Sequence, residues 1–262
     1  MFNADELQQI VKQGVHSIAT TSNPCVSCKS KPIHFHGSDI GKCRLATWYN
    51  RNAVEDKPIS QDLAALFLDG HLHERIIIEA IKDRGYNIEQ GLEFDVVHHI
   101  SLDIFVSYLS TIYLPDEVRK ELIKQANIDN EIRLIGHTDG ILNLDGERIL
   151  IEIKAVKSAN FNYKFMKGIM PDYYYGQIQS YLNCLRLDRG FLIAKNREDG
   201  TIAKPILVHK NETYFKKQLC ELLIVKLNQG VLDPYKRTIT KPFRDGKGYE
   251  CKYCDYKEKC WG

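Results

Sequence analysis

Asp139, Glu152 and Lys154 are the side chains whose types and spacing could carry chemistry. Glu152 and Lys154 stand two residues apart in ILIEIKAV, so on an extended strand they project from one face. Asp139 comes one hairpin earlier, in GHTDG. Two carboxylates offer hard oxygen ligands to Mg²⁺ or Mn²⁺. A lysine beside them can orient an attacking water or offset phosphate charge in the transition state. These are the parts of a metal-dependent phosphodiester hydrolase. The competing reading of E-x-K is an exposed hairpin with ordinary surface charges. The alternation of Glu152 and Lys154 with Ile149, Ile151, Ile153 and Ala155 weighs against it.

The elements that must position these residues can be read from pattern. Residues 135–156 form two β-branched apolar runs joined at Leu144-Asp145-Gly146-Glu147, where Asp-Gly is a hairpin signal. Asp139 is expected near the start of the first strand, with Glu152 and Lys154 on the second. Ser60 opens a long helical pattern that runs to Gly85 as C-cap and carries Gly70, His73 and Glu74 in its middle. Glycine inside a helix costs about 1 kcal/mol against alanine, so a packing reason for Gly70 is expected. Residues 86–115 read as strands and connections, with His98 and His99 structural, and 115–130 as a helix beginning near Pro115.

Beyond the hairpin, FNYKFMKG reads as an aromatic, basic loop. It suits either a solvated linker or a surface that tracks a strand by phosphate contact and base stacking. Residues 171–187 read as a helix with Pro171 in its first turn, on which Gln177 and Tyr181 share a face. A strand at 190–194 and a helix at 214–227 follow. Near the start, MFNADELQQIVKQGV is amphipathic and helix-like, and Ser38-Asp39 offers an N-cap for a helix over 40–51 that carries Cys43, Trp48 and Tyr49.

With 262 residues, 44% hydrophobic and 27% charged, the chain suits one large domain, or one with a small appendage. A formal net charge of +2 means that nucleic-acid binding would need a local basic surface rather than a global field. No apolar run is long enough to span a membrane and no secretory leader pattern opens the sequence, so a cytoplasmic location is expected.

In a reducing compartment the eight cysteines read better as metal ligands than as a disulfide framework. Cys25 and Cys28, followed by His34 and His36, have zinc-ligand spacing, although two thiols and two histidines in a loop can also bind nothing. Cys251, Cys254 and Cys260 leave three thiolates in a short tail, one short of a tetrahedral site. Cys43 is the candidate fourth ligand, with Cys25 or Cys28 as alternatives. Spacing alone does not separate Zn²⁺ from an iron–sulfur cluster. Cys184 and Cys220 read as small buried hydrophobes.

The pair Gly136-His137-Thr138-Asp139 and Glu152-Ile153-Lys154 resembles the G-x-x-D and E-x-K signatures of the PD-(D/E)XK nuclease superfamily. Gly70-His71-Leu72-His73 is similar to the G-x-x-x-H motif of its RecB-like branch, one residue short, which keeps His71 as a minor competitor to His73. Gln177 and Tyr181 match that branch's Q-x-x-x-Y signature. One early and three late cysteines, with the segment from Ser38 to Arg44, resemble the iron–sulfur members, among them CRISPR-associated RecB-like exonucleases.

The resemblance implies a single α/β domain over 1–262, with a restriction-endonuclease-like mixed central sheet flanked by helices. Within it, 70–195 would be the catalytic core, 20–43 a possible zinc-binding insertion and 245–262 a cysteine-rich tail. A 4Fe–4S cluster on Cys43, Cys251, Cys254 and Cys260, or Zn²⁺ in its place, would staple the terminal segments together. His73, Asp139, Glu152 and the Ile153 carbonyl would hold Mg²⁺ or Mn²⁺. Lys154 would position the water, and Gln177 and Tyr181 would orient Lys154 or a substrate phosphate. The substrate implied is single-stranded DNA or DNA ends, in recombination and repair, phage replication or CRISPR adaptation, with proteins of those processes as partners. A structure-specific or RNA-directed nuclease, or a degenerate nucleic-acid-binding accessory protein, would use the same domain.

Overall fold

The computed structural model describes residues 34–52, 60–228, 254 and 256. The expected N-terminal helix, Cys25, Cys28, Cys251 and Cys260 lie outside the described residues. In chain order the first elements are β1 (Phe35–His36), α1 (Arg44–Asn52), α2 (Gln61–Asp83), β2 (Asn87–Gln90) and β3 (Glu93–His99). Then come α3 (Leu102–Ser110), α4 (Asp116–Ala126), β4 (Glu131–His137), β5 (Gly140–Leu144) and β6 (Glu147–Val156). The described core ends with α5 (Ser158–Tyr163), α6 (Asp172–Cys184), β7 (Arg189–Asn196), β8 (Ile206–His209) and α7 (Glu212–Leu227).

The hairpin at the centre forms as its sequence dictates. Asp145 and Gly146 both take positive φ, 50° and 83°, the geometry of a two-residue type I′ turn whose twist matches the flanking strands. β5 and β6 pair antiparallel from Leu144↔Glu147 to Gly140↔Ile151, and β6 pairs parallel with β7. The full order is β2-β5-β6-β7-β8, beside a smaller sheet β1-β4-β3. Both sheets are mixed and flanked by helices, the arrangement expected of a restriction-endonuclease-like fold, divided here into two sheets.

The division falls at the site. β3 pairs with β4 and β2 with β5 in one unbroken antiparallel register, from His99↔Glu131 to Asn87↔Asn143. The ladders stop at Gly91-Leu92 and Thr138-Asp139, where only Thr138 N–H to the Leu92 carbonyl, 3.0 Å, spans the gap. Asp139 therefore lies in an interruption between strands, directly before β5 begins at Gly140 and so near that strand's start, as expected. Across it the pleat turns over. A Cβ on Gly136 would meet Phe94 and Tyr181, whereas one on Gly140 would meet Ile88 and Ile78. Even-numbered Ile132 and Leu134 of β4 face the larger core, as does odd-numbered Ile141 of β5.

β6 is buried on both faces. Ile151 and Ile153 pack with Ile77 and Ile78 of α2, while Leu150 joins the larger core, where α6 and α7 contribute Ile178, Leu182, Leu219 and Leu223. The exposed-hairpin reading of E-x-K is thereby excluded. Gly176 lets α6 approach the chain at Ile40-Gly41, since a Cβ there would lie 2.3 Å from the Ile40 carbonyl oxygen. α1 docks on α7 through the Arg44–Glu221 ion pair and through Trp48 Nε1, which donates to the Asn228 carbonyl at 2.9 Å.

Several local expectations change. Residues 102–110 form a helix rather than strand: Ser101 Oγ accepts the Ile104 N–H, and Phe105, Tyr108 and Leu109 are buried together. FNYKFMKG is not a loop; it folds into the end of α5 and a 3₁₀ turn at Phe165–Lys167, with Phe161 and Phe165 buried. Gly70 shows no packing reason among the described residues, where a Cβ would meet nothing within 4 Å. His98 and His99 are structural: His98 lies 3.5 Å from Cys184 Sγ and edge-on to Phe215, and His99 pairs with Glu131. Burial pushes the Cys184 and Cys220 thiols up to about 12. No helix among the described residues is long and apolar enough to cross a membrane.

Candidate active site

The β5–β6 ladder ends at Gly140↔Ile151, and one further step brings Asp139 opposite Glu152. Asp139 Oδ2 accepts the Ile153 N–H at 2.6 Å, so this carboxylate is tied to the backbone between Glu152 and Lys154. Glu152 is fully buried. Lys154 Nζ lies 2.5 Å from Glu152 Oε1, and apart from that ion pair neither Glu152 oxygen finds a hydrogen-bond donor among the described residues.

The electrostatics follow from burial. Desolvation raises the Asp139 carboxyl well above the usual range, and the neighbouring Glu152 charge raises it further, against the opposing pull of Lys154. Desolvation likewise raises Glu152, with Lys154 opposing. Burial alone would lower the Lys154 ammonium, but the two carboxylates outweigh it and hold Lys154 charged. Two buried carboxyls with few donors form a site in which a bound cation would offset an unfavourable charge arrangement.

Helix α6 closes the other side. Gln177 Nε2 donates to the Tyr181 hydroxyl at 2.7 Å, and Tyr181 is nearly inaccessible, its phenol held protonated chiefly by burial and by the Glu152 charge. The Tyr181 ring stands edge-on to Phe94 at 5.5 Å. Gly37 and Gly136 make room for it: a Cβ on either would come within 3.2 Å of that ring. The Tyr174 ring lies 5.4 Å from Lys154 Nζ. Asp139, Glu152, Lys154, Gln177 and Tyr181 are thus brought together.

The remaining expected ligands are less gathered. His73 Nε2 lies 3.5 Å from Asp69, while its Nδ1 is buried without a hydrogen-bond partner among the described residues. Among the described residues no three His, Cys, Asp or Glu side chains cluster as a ready metal cage, so His73 is not gathered with Asp139 and Glu152. His71 pairs with Glu74 at 3.2 Å, which raises its imidazole. Glu74, named in the helical pattern but given no role there, raises both Asp139 and Glu152 by its charge. It precedes the buried pair Ile77 and Ile78 by one helical turn, and that spacing was the available signal.

His34 is buried just before β1, and His36 is half-buried within it. Phe35 between them is buried, β1 pairs parallel with β4, and the two imidazoles stand 5.7 Å apart. Burial lowers the His36 imidazole, and the His36 backbone N–H donates to Asp39 Oδ2 at 3.0 Å. In the cysteine-rich tail, Tyr256 stacks on Tyr49 at 5.1 Å and donates to Asn50 at 2.7 Å. Tyr256 therefore touches α1, the helix that begins directly after Cys43.

No protein-family profile matches the chain, and no curated protein matches it. Among solved structures, the crystal structure of SSO0001 is similar with a TM-score of 0.56 at 17% identity, over 96% of each chain. An alkaline exonuclease (LHK-Exo) from Laribacter hongkongensis is similar with a TM-score of 0.44 at 12% identity, over 74% of this chain and 87% of that one. At these identities the first likeness establishes a shared fold alone.

Proposed function

We propose that this chain is a divalent-metal-dependent nuclease of the RecB-like PD-(D/E)XK kind, hydrolysing phosphodiester bonds in single-stranded DNA or at DNA ends. The observation that carries the reading is the buried Asp139–Glu152–Lys154 arrangement backed by Gln177 and Tyr181. The buried Asp139 and Glu152 carboxylates, with Lys154 as the one side-chain donor to Glu152 among the described residues, fit a cation ligated by Asp139, Glu152 and the Ile153 carbonyl, which His73 would join only by moving from its place beside Asp69. Bound there, Mg²⁺ or Mn²⁺ would supply charge neutralisation at the phosphate and make the attacking water more acidic. Lys154 stays protonated and donates to the attacking water or a phosphate oxygen. Tyr181, also protonated, accepts from Gln177.

A structural metal site on Cys43, Cys251, Cys254 and Cys260, a 4Fe–4S cluster or Zn²⁺, belongs to the same proposal. The Tyr256–Tyr49 stack supports it by bringing Tyr256 of the tail beside the helix that follows Cys43. A zinc site using Cys25, Cys28, His34 and His36 is proposed with it, supported by the closeness of the two imidazoles. The pathway proposed is DNA recombination, repair, phage replication or CRISPR adaptation, with proteins of those processes as partners.

The test is cleavage of end-labelled single-stranded DNA, duplex DNA and RNA with Mg²⁺ or Mn²⁺. Loss of product in excess EDTA and in Asp139→Asn is expected. Cleavage that persists in EDTA would overturn the proposal.

A further inference from the structure

We infer that α5 and the turn after it form a docking platform for single-stranded nucleic acid, with one base stacked on Tyr163 and adjoining phosphates held by Lys157 and Lys167. This rests on the nuclease reading and names where the strand lies. The segment leaves the site directly: β6 runs from Lys154 to Val156, and Lys157 caps α5. Two aromatic side chains anchor it. Phe161 and Phe165 are buried, and the Phe165 ring lies 6.1 Å from Tyr174, whose own ring is 5.4 Å from Lys154 Nζ. A solvated linker has no cause to bury two phenylalanines.

The outer surface has the opposite character. Tyr163 is 66% exposed and Met166 58%, and Lys167 Nζ stands 5.2 Å over the Tyr163 ring. From Ile153 to Pro171 the chain carries four lysines and no acidic residue. Exposed ring, adjacent ammonium and a stretch of chain without carboxylates of its own complement a strand that presents bases and phosphates together. A duplex keeps its base faces stacked internally, so this surface fits an open strand.

The test is fluorescence anisotropy with labelled oligothymidylate of about 15 nucleotides, in EDTA so that no strand is cut. Tyr163→Ala is expected to weaken binding by about 5- to 100-fold. Tyr163→Phe, which keeps the ring, should bind within about two-fold of the wild-type protein, and both variants should melt with it. Blunt duplex affinity should be unaffected, oligouridylate should follow oligothymidylate, and an abasic oligonucleotide should bind the wild-type protein as weakly as oligothymidylate binds Tyr163→Ala. Normal binding by Tyr163→Ala, equal losses for Ala and Phe, or equal losses on duplex would overturn the platform. If metal-dependent, Asp139-dependent cleavage is seen while Tyr163→Ala binds normally, only the platform fails. If the stacking pattern holds while no substrate is cleaved, only the nuclease reading fails.

Discussion

Asp139 and Ile153 are joined side chain to backbone, 2.6 Å from Oδ2 to N, although Asp139 belongs to neither strand of its hairpin. That bond positions one carboxylate from the partner strand of the other. Asp139→Asn keeps an acceptor for the Ile153 N–H but removes the charge. Cleavage should fall by about 100-fold or more, while the thermal midpoint stays the same or rises, because a destabilised buried charge is gone. Calorimetry beside the end-label assay checks both halves; a large fall in the midpoint would assign Asp139 a packing role.

Gln177 presents the Tyr181 hydroxyl with its donor, at 2.7 Å. In Gln177→Ala that nearly inaccessible oxygen loses the donor, at a cost of about 1–3 kcal/mol. Turnover is expected to drop by roughly ten-fold, the scale of a lesion beside a metal site, with substrate affinity unchanged. Normal turnover combined with a marked loss of stability would make this helix face purely structural.

Two glycine-to-alanine changes should move stability in opposite directions. In Gly176→Ala the new methyl meets the Ile40 carbonyl oxygen at 2.3 Å, and backbone on both sides cannot yield cheaply. A loss of about 1–3 kcal/mol follows. Gly70→Ala meets nothing within 4 Å among the described residues and should gain about 1 kcal/mol in the helix interior. Urea melts of the two variants compare them directly.

Glu221 gives a pH signature away from the site. Its carboxyl is raised by burial, with the Arg44 ion pair opposing. Because the folded value exceeds the unfolded one, the native state holds this proton more tightly, and the contribution to stability diminishes as pH rises through the folded value. Glu221→Gln should therefore gain stability relative to the wild-type protein between pH about 4 and neutrality, with no relative change below that range. A difference that moves the other way would mean that the Arg44 attraction exceeds the burial cost.

The tail can be examined by composition. Anaerobically purified protein should be brown, with about four irons per chain if a cubane cluster is held. Cys254→Ala and Tyr256→Ala should each lower soluble yield, and activity should follow the folded fraction. Colourless protein carrying zinc would replace the cluster with a Zn²⁺ staple. A folded but inactive Cys254→Ala would place the tail in the chemistry.

Much of this was legible in the sequence because local signals coincided with the fold. Asp145-Gly146 announced its turn, Gly85 the end of α2, and Pro115 and Pro171 the starts of α4 and α6. The helix at 102–110 was not legible, since LDIFVSYL is nearly continuous in apolar residues and shows neither period clearly. The interruption at Asp139 was hidden because nothing in HTDG marks it. Glu74 needed the position of α2 on Ile151 and Ile153, and Gly176 needed the chain at Ile40, neither of which any local pattern encodes.

The turnover of the pleat at Thr138-Asp139 bears on how this chain can vary. Ile132 and Leu134 on one side, and Ile141 on the other, reach the same core only because the two intervening links reverse the alternation. A residue deleted there would turn Ile132 and Leu134 toward solvent, or Ile141 away from the larger core toward Ile78 and Ile88. Insertions and deletions should therefore be barred between His137 and Gly140 even where substitutions are accepted. Among diverged chains of this fold, an alignment gap at that point would mark the loss of the carboxylate's geometry, whatever residue types remained.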